Sequence, residues 1–189
     1  MELAPCLPFF SKKVLTKNKK SEVLIVFQKI LVIGCPGSGK STFARALQNL
    51  TGLPLTHLDM LYWNADQTTV SREIFDERLQ SVLEKDAWII DGNYSRTMEK
   101  RLQFCDTVFF LDLPAQICLS SVRGRIGTKR SDLPWIETEE DAEFKEYIRA
   151  FSTEQRPGIL SLLQKYPNVN VVTFHSREEV DAYLEKQNL

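Results

Sequence analysis

The sequence predicts an α/β protein with a doubly wound sheet of five parallel strands and flanking helices. Two observations carry this prediction. Five short apolar runs, each typical of a buried strand, alternate with segments of helical periodicity between residues 29 and 189. The first run leads directly into a glycine-rich turn and then into a helical segment, which is how a parallel strand–helix unit begins.

The predicted strands are residues 29–33, 55–59, 87–91, 106–111 and 169–174. Helices are predicted between and after them. Ser71 is expected to cap a helix that runs to about residue 85, and Thr138 to open a later helix through a capping box. Pro114, Pro157 and Ser176 are expected to begin three further helices.

Residues 34–41 match the pattern G-x-x-x-x-G-K-[ST], the phosphate-binding loop of P-loop NTPases. Its glycines let backbone N–H groups turn toward phosphate oxygens, and the following helix adds its positive N-terminal dipole. We expect Lys40 to reach the β- and γ-phosphates of ATP, and the Ser41 hydroxyl to ligate Mg²⁺. The alternative, a glycine-rich turn with a chance lysine, does not explain the strand before the motif or the helix after it. The residues predicted to bind ATP are Gly34, Pro36, Gly37, Ser38, Gly39, Lys40, Ser41 and Thr42.

Composition narrows the functional classes. The chain has 189 residues, which suits one domain, and its formal net charge is −1. This balance argues against a broad nucleic-acid-binding face, which needs a basic patch. The four cysteines show no C-x-x-C spacing, so we predict no structural zinc site. Scattered cysteines, and the lack of an apolar stretch long enough to span a membrane, predict a cytoplasmic protein.

Residues 1–28 are predicted to be an N-terminal extension outside the core fold, because a phosphate-loop domain commonly begins only a few residues before its first strand. The alternative is an extra helix or strand docked on the domain. Residues 29–189 form the predicted kinase-like domain. Within it, we expect residues 59–86 to bind the acceptor and residues 123–135 to form a short lid.

Acidic residues at the ends of predicted strands are candidates for metal and acceptor binding, since the carboxyl ends of parallel strands form the binding crevice. Asp91 is predicted to hold Mg²⁺ directly or through water. Asp59 is expected to hold acceptor hydroxyls, accept a proton or assist the metal, although a plain turn acid is nearly as good an interpretation. Asp112 is interpreted as a structural cap, and His57 as a structural histidine.

Basic residues supply the cations that phosphoryl transfer needs. Arg96 is predicted to clamp the phosphate of the acceptor. A glycine-punctuated basic segment, which we interpret as a flap closing over ATP, contains Arg123, Arg125, Lys129 and Arg130. A solvated surface loop is the alternative for that segment. Arg149 and Arg156 are weaker candidates, because each is individually more typical of a surface arginine. The predicted catalytic residues are thus Lys40, Asp91, Arg96, Arg123 and Arg125.

Two aromatic residues follow the second predicted strand. Tyr62 and Trp63 are expected either to line the acceptor pocket or to be ordinary core aromatics. The predicted acceptor-binding residues are Asp59, Tyr62, Trp63, Arg96 and Arg149.

Several of these segments together resemble a known family. Residues 34–42, 57–59, 88–94 and 110–114 resemble the small adenylate-kinase-like proteins called DNA topology modulation proteins of the FlaR type, over about residues 29–166. The resemblance implies a P-loop kinase fold that binds ATP and Mg²⁺. In the wider nucleoside monophosphate kinases the Asp91 position begins a D-G-F-P-R element. Here Asn93 and Tyr94 replace its Phe-Pro, and the arginine comes one residue later, as Arg96. This difference leaves the identity of the acceptor undetermined.

The sequence therefore predicts an ATP-dependent phosphotransferase that acts on a nucleotide or another small acceptor, as a monomer or dimer. Two alternatives stay open. One is a nucleotide-binding regulatory protein linked to DNA topology, with little catalysis. The other is an acceptor-independent ATPase; a GTPase is not expected, because no N-K-x-D motif follows the fourth predicted strand.

Overall fold

The computed structural model of the protein describes residues 27–187. Residues 1–26, and with them nearly all of the predicted N-terminal extension, lie outside the described residues. The last two residues of that extension are described and join the fold. Phe27 is buried and packs edge-on against Phe109, with ring centroids 6.1 Å apart. The Gln28 carbonyl accepts a hydrogen bond of 2.7 Å from the Trp88 N–H.

Five strands form one all-parallel sheet, in the order β2-β3-β1-β4-β5. They are β1 (Lys29–Gly34), β2 (Leu55–His57), β3 (Trp88–Asp91), β4 (Thr107–Leu111) and β5 (Asn170–Phe174). The predicted doubly wound α/β fold is confirmed. β1 is central, and the chain winds outward from it in both directions, so a crevice opens at the carboxyl ends of β1 and its neighbours.

Eight helices flank the sheet within residues 27–187. They are α1 (Lys40–Thr51), α2 (Leu58–Tyr62), α3 (Arg72–Leu83), α4 (Ser95–Leu102), α5 (Ala115–Gly124), α6 (Ala142–Glu154), α7 (Arg156–Gln164) and α8 (Arg177–Gln187). No helix in this part of the chain is long and apolar enough to cross a bilayer.

Helix α2 corrects the sequence prediction. Residues 58 and 59 were expected to end a strand, but β2 stops at His57 and the chain turns at once into a short helix. The reason is packing. Leu58 is fully buried against the core, and Leu61 and Tyr62 follow it at helical spacing on the same apolar side.

The predicted helix caps at Ser71 and Ser176 are present, whereas the predicted cap at Thr138 is not. The Ser71 hydroxyl accepts a hydrogen bond of 3.3 Å from the Ile74 N–H, as predicted for the start of α3. Helix α6 begins later than expected. Asp141, not Thr138, is its N-cap, and accepts a hydrogen bond of 3.0 Å from the Phe144 N–H. A carboxylate at this position also complements the positive end of the helix dipole.

Candidate active site

The loop between β1 and α1 has the conformation that a phosphate cradle requires. Gly37 and Gly39 take φ values of 83° and 99°, which residues other than glycine rarely adopt. A Cβ at Gly37 would lie 2.3 Å from the Cys118 carbonyl oxygen, so this glycine lets the loop pack against α5. A Cβ at Gly39 would meet no atom within 4 Å, so this side of the loop faces open space.

The start of α1 presents polar groups toward that space. No side chain caps the helix N-terminus, which suits an incoming anion. The Lys40 ammonium folds back and donates a hydrogen bond of 3.1 Å to the Cys35 carbonyl. Ser41 lies in the same first turn. Ser38, within the loop, is buried, and its hydroxyl has no partner among the described residues.

A cleft of about 550 Å³ opens above this loop, at the carboxyl ends of the strands. It brings together many of the residues that the sequence singled out: Pro36, Gly37, Gly39, Lys40, Ser41, Thr42, Asp59, Asp91 and Arg125. It also contains residues that the sequence analysis did not select, among them Arg45, Asn93, Tyr94, Ser121, Asp132, Phe144, Tyr147 and Arg177.

Asp91 ends β3 and lines the cleft, as its position at the strand end predicts. Its side chain is only 5% exposed, and the His57 Nδ1 atom lies 2.8 Å from its Oδ2. The other oxygen, Oδ1, is buried and has no hydrogen-bond partner within the described part of the chain. A buried carboxylate oxygen without a partner is costly, so Asp91 is suited to a cation or a water that a ligand brings. His57 orients this carboxylate.

Asp59 lies in the first turn of α2 and lines the same cleft. The Tyr94 hydroxyl donates a hydrogen bond of 2.7 Å to its Oδ1. Burial raises the pKa of the Asp59 carboxyl above its ordinary value, and the Tyr94 hydrogen bond opposes this shift only in part. A carboxyl group whose pKa is raised is a better proton acceptor when it is ionised.

The loop after β3 is fastened to the phosphate loop by one amide side chain. Asn93 accepts a hydrogen bond of 3.0 Å from the Gly34 N–H through its Oδ1, and donates one of 2.8 Å to the Gly34 carbonyl through its Nδ2. The side chain therefore acts like one more residue of a β-ladder. The residue after it, Tyr94, takes a positive φ of 39° and stacks on Phe75, with ring centroids 5.2 Å apart.

A fully buried arginine supports the same loop from below. Arg101 donates hydrogen bonds to the carbonyls of Gly92, Asn93 and Tyr94. Burial lowers the pKa of its guanidinium to about 9, so the side chain stays protonated at neutral pH. The planar fork of an arginine reaches all three carbonyls at once, which holds the backbone that carries Asp91 and Asn93.

The segment between α5 and α6, residues 125–141, contributes a second group of charges. Asp132 is almost fully buried and pairs with Arg130 and with Arg45, which projects from α1. Burial works against ionisation here, but the hydrogen bonds and the positive charge of Arg130 keep the pKa of the Asp132 carboxyl well below its ordinary value. These pairs tie the segment to the phosphate-loop helix.

Arg125 lies at the edge of this group and lines the cleft. Its Nη2 atom donates a hydrogen bond of 3.1 Å to Glu137. Its Nε atom is 2.9 Å from the other Glu137 oxygen but is not aligned for a hydrogen bond, so that contact is an ion pair only. Burial lowers the pKa of Arg125.

Other predicted cations lie away from the cleft. Arg96 makes a two-pronged pair with Asp76 of α3, and both side chains are nearly half exposed. Arg149 pairs with Glu146 one turn away on α6 and is also exposed. These two residues do not line the cleft.

Two further basic residues also have acidic partners. Arg156 pairs with Asp112, and Arg123 pairs with Glu140. Arg123 borders a neighbouring cavity and is 75% exposed.

The two predicted aromatic residues have different surroundings. Tyr62 packs among aromatic rings, 5.6 Å from Phe75 and 5.2 Å from Tyr94, and lines neither cavity. Trp63 lines the neighbouring cavity, where its ring lies 5.2 Å from that of Trp135.

The residues present fit a nucleotide with its magnesium ion. The open side of the phosphate loop, the uncapped helix and the unpartnered Asp91 oxygen converge on one cleft. Within residues 27–187 no group of three or more His, Cys, Asp or Glu side chains is arranged to hold a metal ion. A magnesium ion bound with a nucleotide takes most of its ligands from phosphates and water, and few from the protein.

Comparison with solved structures gives the fold. Shikimate kinase from Acinetobacter baumannii in complex with shikimate aligns with a TM-score of 0.56 and 16% identity, over 84% of this chain and 92% of that one. Shikimate kinase from Bacteroides thetaiotaomicron aligns with a TM-score of 0.52 and 18% identity, over 83% and 94%. No protein-family model and no curated protein matches the chain. At these identities the likeness establishes the fold alone: the chain has the P-loop fold that shikimate kinases have.

Proposed function

We propose that the protein is a phosphotransferase that moves the γ-phosphoryl group of Mg-ATP to a hydroxyl-bearing small acceptor. One observation carries the proposal. The phosphate loop, with Lys40 and Ser41 at its helix, shares a cleft with Asp91, whose buried Oδ1 has no partner among residues 27–187. The shikimate kinases that share the fold are enzymes of this reaction class by name, which agrees with the proposal.

The residues of the cleft divide into a donor half and an acceptor half. We assign Lys40 and the backbone of residues 34–41 to the phosphates of ATP, and Ser41 and Asp91 to Mg²⁺. The magnesium ion, when bound, offsets the negative charge of the phosphates. The start of α1 supports this division, because an uncapped helix N-terminus favours a negatively charged ligand.

Asp59 is the proposed proton acceptor. As the acceptor hydroxyl oxygen bonds to the transferred phosphorus, the bond from phosphorus to ADP breaks and the hydroxyl proton passes to the Asp59 carboxylate. Its hydrogen bond from Tyr94 and its raised pKa suit this role. Arg125 and Arg130 line the same cleft and are the proposed cations near the transferred group. The flap role of residues 123–135 stays a prediction.

Acceptor-dependent formation of ADP is the test of this function. We expect Lys40→Ala to abolish the rise in melting temperature that Mg-ATP causes, and to lower turnover by at least 100-fold. Lys29→Ala is the matched control, since that side chain lies at the start of β1 beside Phe104, far from the cleft. Equal ATP stabilisation of Lys40→Ala and the control would contradict the proposal. Hydrolysis that no acceptor accelerates would identify an ATPase instead.

We also propose membership of the adenylate-kinase-like group that the D-G-N-Y element at residues 91–94 resembles, and a cytoplasmic location. Both rest on the sequence. The bidentate role of Asn93 supports the first, because it gives this element a physical reason to differ from the D-G-F-P-R form.

A further inference from the structure

A second cavity of about 650 Å³ adjoins the nucleotide cleft. The two share Asp59, Arg125, Arg130 and Phe144, so an acceptor in the second cavity would meet the phosphoryl group at Asp59. The residues that line this cavity indicate the chemistry of that acceptor, if the proposed function holds.

One wall of the second cavity is aromatic. Trp63 and Trp135 meet edge to face, with ring centroids 5.2 Å apart and an interplanar angle of 79°, and Phe144 lies on the same cavity. Flat aromatic surfaces of this kind bind the apolar face of a ring. The cavity therefore favours an acceptor with a ring rather than a short open chain.

Four basic residues of the wall each form an ion pair with a glutamate of the same wall. Arg125 and Arg130 both pair with Glu137, at 2.9 and 2.8 Å. Arg123 and Lys145 both pair with Glu140, at 2.8 and 2.6 Å.

These four are the Arg and Lys residues that line the cavity within the described part of the chain. Its other carboxylates belong to Asp59, Glu139 and Asp141, so the wall carries five carboxylates against four cations. An anionic acceptor would have to displace Glu137 or Glu140 from an existing ion pair. A phosphate or carboxylate brought next to the remaining acids would also be repelled.

We infer that the acceptor is an uncharged, hydroxylated ring compound, of the class of sugars and nucleosides, without a phosphate or carboxylate group. The ring lies on Trp63 and Trp135, and one hydroxyl reaches Asp59. The position of Arg96 agrees with this inference, because the arginine predicted to clamp an acceptor phosphate pairs with Asp76 at the surface.

Matched acceptor pairs test this inference directly. Each pair contains a nucleoside and its 5′-monophosphate, or a neutral sugar and the corresponding sugar phosphate or sugar acid. Acceptor-dependent ADP formation is measured for both members with the wild-type protein. We expect the uncharged member to have at least a tenfold higher kcat/KM in every pair that turns over. Equal or better use of the anionic member would overturn the inference and leave the phosphotransferase proposal standing, whereas a panel without any turnover would overturn both.

A variant that should bind anionic acceptors better gives a second, independent test. Glu137→Gln removes the shared partner of Arg125 and Arg130, so the preference for uncharged acceptors should fall by about tenfold. Glu146→Gln is the matched control, because Glu146 also pairs with an arginine but lies on the exposed face of α6, outside both cavities. A preference that changes equally in both variants would contradict the inference. Mg-ATP stabilisation of each variant shows that it is folded.

Discussion

The clearest test of how the candidate site is built is the removal of one amide side chain, in Asn93→Ala. Asn93 satisfies both the N–H and the carbonyl of Gly34, at 3.0 and 2.8 Å, and Gly34 is buried at the end of β1. The substitution deletes two hydrogen bonds, worth about 1 kcal/mol each. It also leaves two buried backbone groups without those partners, which raises the expected cost to about 2–4 kcal/mol.

Chemical denaturation measures this cost. For a domain of this size, the loss corresponds to a fall in melting temperature of roughly 5–15 °C. Asn93→Asp is the discriminating variant. Its carboxylate still accepts from the Gly34 N–H, but its second oxygen faces the Gly34 carbonyl, so we expect it to be at least as unstable as Asn93→Ala. Asn170→Ala, at the exposed start of β5, is the control and should change stability by less than about 0.5 kcal/mol.

Nucleotide binding should fall along with stability, because Asn93 connects the loop after β3 to the phosphate loop. We expect the stabilisation by Mg-ATP to shrink in both Asn93 variants. An Asn93→Ala protein as stable as the Asn170→Ala control, with unchanged response to Mg-ATP, would refute the reasoning.

Three other substitutions probe the charged groups of the site. In Asp59→Asn the amide oxygen still accepts a hydrogen bond from Tyr94, but the buried charge is removed. Because the pKa of Asp59 is raised in the folded protein, ionised Asp59 destabilises the fold at a pH above the ordinary pKa of an aspartate. The variant should therefore melt at a higher temperature than wild type at pH 7, yet lose at least 100-fold in acceptor-dependent turnover. Asp132→Asn should be less stable than wild type at pH 7, because the lowered pKa of Asp132 stabilises the folded protein at a pH above the ordinary value of 3.8. This stabilisation is lost in acid, so the denaturation curves of variant and wild type should converge as the pH falls below 3.8. Arg101→Lys keeps the charge but not the fork, so at least one of three loop carbonyls loses its donor, and urea unfolding should report a loss of about 2–4 kcal/mol.

The fold was predictable because its signals are local. Apolar runs of strand length, the G-x-x-x-x-G-K-[ST] turn and the caps at Ser71 and Ser176 are each readable within a few residues. The position of Asp91 was also predictable, because an acidic residue at the carboxyl end of a buried parallel strand lies at the binding crevice. Asp59 was selected for the wrong local reason: it lies in α2 rather than at a strand end, but the early end of β2 still leaves it at the same edge of the sheet.

The remaining site residues depend on contacts between distant segments. Arg101 appears in the sequence as one more charged residue of a polar helix, and only the packed structure shows it fully buried beneath residues 92–94. Arg96 has the more suggestive position in the sequence, yet Asp76 of α3 holds it at the surface. A motif reports which residue types are near each other along the chain, whereas the partner of a long side chain is decided by which acid the fold brings within reach.

The same distinction explains why the charges of the second cavity were not predicted from the sequence. A glycine-punctuated basic segment suggests unpaired cations waiting for phosphate. In the folded protein, Glu137 pairs with two of its arginines and Asp132 joins one of them to α1 through Arg45. Because these acids pair with the arginines, the segment offers an arriving ligand less positive charge than its sequence suggests. The selectivity of the second cavity is therefore set by Glu137 at least as much as by the arginines that the sequence made conspicuous.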